Sequence, residues 1–334
     1  MRLGLNRWDW RSPEAFASEV VEAEAMGLTD AFVPVNPLAL PDPYVLLTAG
    51  ARATTTMHFG PLLETPVLRP AAVAAGSIAT LDRAAPGRAR LTYGVGDTAV
   101  RWLGLRPARV AELERAVVDA RALLAGSEID VGAERPARLF HHRPVPVWVA
   151  AGGPRTLRMA GAVADGVFIR VGTHPANLRT AVDAIADGAR SAGRDPGEVE
   201  VAVIVHTAST QDPGEIHAIS RAMAAGYVEY SPTLFDAPGF EWRGPAIEEL
   251  QAQVVPDFHH AADLVAAGRV VDFLDDEIAA SFSFTGSPAD IADQIAAVRA
   301  AVPEMTMLIP HPVPTPRFGA ALDYVRWLTT DVLG

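Results

Sequence analysis

Short apolar runs alternate with helical segments along most of this chain, and that alternation restricts its possible folds more than any other feature. The runs that read as strands cover residues 3–6, 31–35, 57–63, 90–94, 145–150, 166–170, 200–206 and 305–309. Proline opens and glycine closes the segments between them, as at Pro13 and Gly27, at Pro107 and Gly126, and at Pro175 and Gly193. This is typical of helices. Strands joined by crossover helices pair in parallel. Eight such units predict a closed (β/α)8 TIM barrel.

The alternation breaks after the seventh run, between residues 211 and 285. Ser231-Pro232, Ala237-Pro238-Gly239 and Gly244-Pro245 interrupt the helical pieces of that stretch. We therefore predict one barrel domain over residues 1–334 with a helical insertion at 211–285. Because the insertion follows the carboxyl end of a strand, where this fold carries its active site, it either shapes a substrate pocket or only caps the barrel.

Composition limits the partners of the chain. It contains 40 acidic and 28 basic residues and has a net charge of −12, which argues against a nucleic-acid ligand. No apolar run is long enough to cross a bilayer, and the N-terminal residues do not resemble a signal peptide, so we expect a cytoplasmic protein without a membrane partner. The lack of cysteine excludes thiolate nucleophiles and cysteine-ligated metals.

Two histidine pairs raise the question of a metal site. His141 and His142 are adjacent, and adjacent side chains do not face one site on a helix or a strand, so we expect them in an exposed loop. His259 and His260 fall in a stretch that we predict to be helical, without a carboxylate partner at ligand spacing. We therefore expect no metal.

The sequence Ala151-Gly152-Gly153-Pro154 joins the fifth run to a helix and is suited to hold an anion. Glycine lets backbone approach a ligand closely, and proline is pre-set for the first helical position. The amides that follow present partial positive charge to a phosphate. In so acidic a chain, an anionic ligand depends on such local geometry.

In a closed barrel, residues at the carboxyl ends of the strands converge on one mouth. The candidates there are Asn6, Asn36, Glu64, Thr65, Gly94, Asp97, Ala151, Arg170, His174, His206 and His311. Residues 94–99 also contain GxGxxA, but Gly104 and Pro107 interrupt the helix that a dinucleotide-binding turn requires. We interpret 94–97 as a strand-end loop that lets a flat ring approach or, alternatively, as an ordinary tight turn.

The order of several motifs resembles the bacterial luciferase-like superfamily. These motifs are GPLLETPVLRP at 60–70, ATLD at 79–82, GVGD at 94–97, VAAGGP at 149–154, ADGV at 164–167 and FTGSPADIADQI at 284–295. Within that superfamily the chain is most similar to the coenzyme F420-dependent branch, which includes methylenetetrahydromethanopterin reductase. The resemblance runs from about residue 3 to 330 and leaves part of 211–260 unmatched.

The resemblance implies an oxidoreductase that moves a hydride between a deazaflavin and a small organic substrate. It also implies a non-proline cis peptide bond at Leu62–Leu63 that backs the cofactor ring, cofactor contacts at Thr65 and Asp97, and a phosphate-binding turn at Gly152 and Gly153. With Gly94, Ala151 and Arg170 from the strand ends, these residues form the expected cofactor site. Members of the branch are commonly homodimers.

One position departs from the sugar-phosphate dehydrogenases of that branch. Where they carry an Asp-His pair, this chain has Val35-Asn36. Asparagine orients a carbonyl but does not exchange protons near neutral pH, so we do not expect the sugar-phosphate reaction. The catalytic candidates are Asn36, Glu64, Asp97 and His311.

Three alternatives stay open at this stage. An FMN-dependent luciferase-like monooxygenase would use the same barrel with oxygen chemistry. A cofactor-free, non-catalytic barrel subunit would explain the missing Asp-His pair. A hydrolase or isomerase would use Glu64 and Asp97 as acid and base.

Overall fold

The computed structural model describes residues 1–208, 212–237, 239–313, 318 and 320–334. Its strands are β1 (Arg2–Leu5), β2 (Asp30–Val33), β3 (His58–Pro61), β4 (Leu91–Tyr93), β5 (Glu128–Ile129), β6 (Ala137–Arg138), β7 (Val147–Ala151), β8 (Gly166–Ile169), β9 (Glu200–Ala208), β10 (Ser283–Thr285) and β11 (Met305–Pro312). All strands except the β5–β6 hairpin belong to one parallel sheet.

Helices follow most of the strands. They are α1 (Pro13–Ala25), α2 (Pro43–Ala53), α3 (Ala71–Ala84), α4 (Thr98–Trp102), α5 (Val110–Leu124), α6 (Pro154–Val163), α7 (Pro175–Ser191), α8 (Pro213–Tyr230), α9 (Ile247–Gln251), α10 (Leu264–Val270), α11 (Asp276–Ala280), α12 (Pro288–Ala301) and α13 (Ala321–Trp327). Short 3-10 turns lie at Pro196–Glu198 and Pro232–Asp236, and a π turn lies at Leu328–Val332. The prediction that Pro107 begins α5 is wrong, because the Ala108 amide instead donates to the Val95 carbonyl at 2.8 Å.

The strands close into a barrel. Their order in the sheet is β3-β2-β1-β11-β9-β8-β7-β4. The two ends of this order meet through parallel bridges between Phe59 and Ala89 and between Glu64 and Tyr93. The predicted TIM barrel is therefore confirmed.

The segment predicted as an insertion consists of α8 to α11 with the turn Pro232–Asp236, and it ends in β10. Gln211 and Pro238 of that prediction lie outside the described residues. β10, which the sequence did not predict, pairs with the end of β9 and places Ser283 opposite His206. β8 pairs with β9 only as far as Val203, so β10 continues the barrel wall beyond β8.

Two apolar clusters hold the barrel together. The larger one fills the layer between strands and helices. The smaller one fills the interior with Phe32, Leu62, Trp148, Phe168, Ala202, Ile204, Met307 and Ile309. Where β2 and β4 begin, Arg90 Nη1 pairs with Asp30 Oδ1 at 2.7 Å and lies over the Trp148 ring at 4.5 Å. This buried pair occupies the amino end of the barrel and leaves the carboxyl end for a site.

None of the helices in the described stretches has the length and apolar character needed to cross a membrane.

Candidate active site

The end of β3 and the loop after β4 meet at the carboxyl-end mouth. The peptide bond between Leu62 and Leu63 is cis, at the position that the resemblance implies, and Leu62 packs in the interior cluster. Gly94 makes room for Leu63, because a Cβ at position 94 would lie 2.6 Å from Leu63 Cδ2. These three residues form a surface of apolar side chain and bare backbone at the mouth.

The glycine turn after β7 lies against the end of β8. A Cβ at Gly152 would lie 2.8 Å from the Arg170 carbonyl oxygen and 3.2 Å from Ser231 Oγ, so only glycine fits there. α6 begins directly after the turn, at Pro154, and no side chain caps its first amides. Such amides lack intrahelical partners and carry partial positive charge. The turn therefore offers backbone donors to an anion.

The loop after β4 carries Asp97 at the start of α4. Gly96 has a φ of +75°, in the left-handed region that favours glycine. The buried Thr65 donates from Oγ1 to the Val95 carbonyl at 3.1 Å. Asp97 is the N-cap residue of α4 and pairs with Arg101. Thr65 thus supports the loop that presents Asp97.

The side chain of Glu64 contacts Arg69 and Tyr44 rather than the side chains of the other candidates. Its carboxylate is fully buried 3.0 Å from Arg69 Nε, and the Arg69 guanidinium lies over the Tyr44 ring at 4.9 Å. Burial raises the pKa of Glu64 to about 7, although the charge of Arg69 acts in the opposite direction. The structure does not bring Glu64 and Asp97 together as an acid–base pair.

Two asparagines position groups at the mouth. Asn36 Oδ1 accepts a hydrogen bond from the Leu38 amide at 3.2 Å, which shapes the loop after β2. Asn6 Oδ1 accepts from His311 Nδ1 on β11. Since an amide oxygen only accepts, Nδ1 of His311 carries the proton. Burial lowers the pKa of His311 to about 3, so its imidazole is neutral at pH 7.

A cluster around Arg170 was not predicted as a unit. Arg170 Nη2 lies 3.2 Å from His206 Nε2 and 2.9 Å from His259 Nδ1. A guanidinium only donates, so both ring nitrogens accept, and His259 Nε2 donates to the Met223 carbonyl at 2.8 Å. Burial is the main cause that holds the pKa values of His206 and His259 well below their usual range. Both imidazoles are therefore neutral.

A carboxylate joins the insertion to the barrel. Asp257 Oδ1 accepts from His260 Nδ1 at 2.7 Å, and Asp257 Oδ2 accepts from Thr98 Oγ1 at 2.8 Å. Burial acts to raise the pKa of Asp257, but the bond from His260 and its charge hold that pKa below its usual range. The predictions that His259 and His260 are helical and lack a carboxylate partner are wrong, since they lie in a turn between α9 and α10 beside Asp257.

Over the parts of the chain that the structure describes, no three histidine, aspartate or glutamate side chains form a group that could hold a metal ion. The glycine turn, by contrast, has the close backbone approach and the uncapped helix start that a phosphate requires. A phosphate-bearing cofactor with a flat ring fits the residues at this mouth.

The comparison with protein families agrees with this geometry. The family model described as luciferase-like monooxygenase matches residues 10–304. The chain belongs to the luciferase-like monooxygenase family.

Individual relatives of this luciferase-like chain include reductases. A 5,10-methylenetetrahydromethanopterin reductase of Methanolobus tindarius is 32% identical over 202 residues, a match that covers 58% of this chain and 61% of that relative. The chain thus aligns with less than two thirds of that protein.

Two solved structures share the fold of this luciferase-like chain. The coenzyme F420-dependent tetrahydromethanopterin reductase of Methanopyrus kandleri superposes with a TM-score of 0.74 and 21% identity, covering 99% of this chain and 98% of its own. An F420-dependent secondary alcohol dehydrogenase in complex with an F420-acetone adduct has a TM-score of 0.72 and 18% identity, and covers 99% of this chain and 98% of its own.

Most predicted site residues of this luciferase-like chain lie at strand ends on one mouth. His311 and His206 occupy paired positions on β11 and β9, and their ring centroids are 5.3 Å apart. His174 occupies the N-cap position of α7 without a side-chain capping bond, and its ring centroid lies 4.8 Å from that of Phe240. The contribution of His259 had no signal in the sequence, because it reaches Arg170 only through the folding of the insertion.

Proposed function

We propose that the chain is an oxidoreductase that uses coenzyme F420 to transfer a hydride to or from a small organic substrate at the barrel mouth. One observation carries this proposal: a bare glycine turn at a helix start and an apolar backing surface at Leu63 and Gly94 share one mouth. The first suits a cofactor phosphate and the second suits a flat ring. The two structural neighbours are an F420-dependent reductase and an F420-dependent secondary alcohol dehydrogenase, which supports F420 as that cofactor.

Different residues at the mouth would hold different parts of the cofactor. Gly152, Gly153 and the first amides of α6 would bind its phosphate. Leu62, Leu63 and Gly94 would support one face of its ring, so that the other face meets the substrate. When bound, a deazaflavin supplies a carbon that accepts or donates a hydride.

Further contacts come from the neighbouring strand ends. Thr65 holds the β4–α4 loop by its hydrogen bond to the Val95 carbonyl, and Asp97 at the end of that loop would contact the ring. Ala151, which ends β7 and accepts the Arg170 amide at 3.1 Å, would set the distance between the phosphate turn and β8. Arg170 would add positive charge beside the phosphate.

Polar side chains around the substrate would bind its reacting groups and their protons. His311 is held by Asn6 with its proton on Nδ1, so its Nε2 carries a lone pair that would accept a hydrogen bond from a substrate alcohol. Asn36 would orient a substrate carbonyl without exchanging a proton. Asp97 is a second acceptor, whereas the Glu64 carboxylate pairs with Arg69 and would not exchange a proton with the substrate.

The insertion would define the substrate pocket rather than only cap the barrel. Its residue His259 reaches Arg170 at the end of β8, and its residue Asp257 reaches Thr98 beside Asp97. Both contacts place insertion residues next to the candidate cofactor site. That the chain works as a homodimer in the cytoplasm stays a prediction.

Monooxygenation with FMN is the second candidate, because the family that the chain belongs to is described by that reaction. The two functions differ in their need for oxygen. To separate them, the protein is incubated under nitrogen with reduced F420 and a panel of ketones, aldehydes and imines. We expect oxidation of the cofactor without oxygen. Turnover only with FMN and oxygen would replace our proposal by the second candidate.

A further inference from the structure

A cavity of about 440 Å³ lies beside the mouth, between the loop after β1 and the chain after β11. It is separate from the candidate cofactor site. Arg7 lines the cavity together with Glu19 of α1 and Tyr324 of α13. The cavity therefore lies on the helix side of the barrel wall.

Arg7 is a half-buried cation without a counterion in the described structure. Among the described residues, no carboxylate lies within hydrogen-bond or ion-pair distance of its guanidinium, and burial lowers its pKa. The acidic side chains of this wall are already engaged, since Asp9 pairs with Arg11 and Glu19 accepts the Asp9 amide. Removing water from a guanidinium without pairing it with an anion costs free energy. A bound anion would offset this desolvation cost.

Aromatic rings form much of the remaining wall. Trp8 Nε1 donates to the Phe32 carbonyl at 3.1 Å, and the Tyr324 hydroxyl donates to the Pro310 carbonyl at 2.7 Å. Both polar groups are thus hydrogen-bonded to backbone carbonyls. The two side chains therefore present only the apolar faces of their rings to the cavity. The indole Nε1 of Trp10 in the same wall is buried and has no partner among the described residues, so one further donor is available.

We infer that this cavity is a binding site for a small organic carboxylate, whose charged group pairs with Arg7 and whose apolar body lies among the aromatic rings. Arginine suits this role because its planar fork matches both carboxylate oxygens. The volume lies within the range of small-molecule sites. The inference is independent of the proposed hydride transfer, since none of the candidate cofactor residues lines this cavity.

Direct binding to the cofactor-free protein tests the inference. Benzoate, phenylacetate and hexanoate are titrated at pH 7, each against its uncharged amide, with calorimetry and tryptophan fluorescence as readouts. Trp8 and Trp10 in the wall make the fluorescence sensitive to occupancy. We expect saturable binding of at least one carboxylate and roughly tenfold weaker binding of its amide. If none of the three carboxylates binds the wild-type protein, or if the amides bind equally well, the inference is wrong.

Substitutions of Arg7 then test whether this residue supplies the positive charge that binds the carboxylate. Arg7→Gln should weaken carboxylate binding by about tenfold or more, and Arg7→Lys should retain part of it. Arg326→Gln on α13 removes the same charge from an exposed ion pair with Asp323 and should leave binding unchanged. Equal affinities of the wild type and Arg7→Gln would overturn the assignment. Should Arg7→Gln fail to fold, Arg7→Lys and the amide comparison still decide.

Discussion

Arg170 donates a hydrogen bond from Nη2 to His259 Nδ1 over 2.9 Å, and this bond joins the end of β8 to the insertion that follows β9. The acceptor nitrogen is available because His259 places its proton on Nε2, toward the Met223 carbonyl. Tyr230 stacks on the same ring, with centroids 5.3 Å apart. The placement of this imidazole therefore helps to position the insertion over the mouth, together with the contact of Asp257 with Thr98.

Gly226→Ala should disturb that placement. A Cβ at position 226 would lie 2.3 Å from His259 Cδ2, so the ring must move away from α8. We expect the free energy of unfolding to fall by about 1–3 kcal/mol, measured by urea denaturation. The same variant should increase proteolysis within residues 254–260.

Gly76→Ala on α3 is the matched control, because it adds the same methyl group to another helix. Its Cβ would meet nothing closer than 3.9 Å, and alanine favours a helix over glycine by about 1 kcal/mol. We expect unchanged or increased stability. A loss equal to that of Gly226→Ala would show that the contact with His259 is not the cause.

Gly94→Ala should displace the side chain that backs the mouth. The added Cβ would lie 2.6 Å from Leu63 Cδ2, and we expect a loss of about 1–3 kcal/mol in the free energy of unfolding. Leu63→Ala removes the clashing atoms. In a double-mutant cycle, the two substitutions together should therefore cost less than the sum of their separate effects. Strict additivity would mean that the two residues do not share this space.

Glu64→Gln tests the buried carboxylate through pH. The pKa of Glu64 is about 7 in the folded protein against 4.5 for the free group, so the folded state holds this proton more tightly. Its contribution to stability is full below pH 4.5 and is lost as pH rises through 7. Glutamine does not titrate and removes this dependence.

The wild type should accordingly lose on the order of 2–3 kcal/mol relative to Glu64→Gln between pH 4.5 and 8. Urea denaturation of both proteins at several pH values measures the difference. The buried histidines act in the opposite direction, because their lowered pKa values cost stability in acid, but they are common to both proteins. Parallel pH profiles would show that Glu64 is not buried as described.

The barrel could be predicted from sequence because its signals are local and repeated. Each unit carries its own apolar run and its own helix boundaries, such as Pro175 at the start of α7 and Gly193 after its end. β10 could not be predicted in this way, since it has three residues and exists because β9 extends beyond β8. The start of α5 was missed because the Ala108 amide bonds to the β4–α4 loop.

The residues of the candidate site likewise divide into those that a local sequence signal predicts and those that it does not. Gly152 and Gly153 could be found because a glycine turn before a helix is written in consecutive residues. The contact between Arg170 and His259 spans 89 positions, and the sequence around either residue does not indicate this contact. Glu64 carries no local sign of its burial either, because that depends on how Arg69 of the same loop and Tyr44 of α2 pack around it.

Equilibrium titration of the cofactor-free protein with oxidised coenzyme F420 and with FMN, followed by absorbance and calorimetry, tests the central claim most directly. The account predicts saturable binding of one F420 per chain, at least about tenfold tighter than that of FMN. Tight binding of FMN without measurable binding of F420 would contradict it.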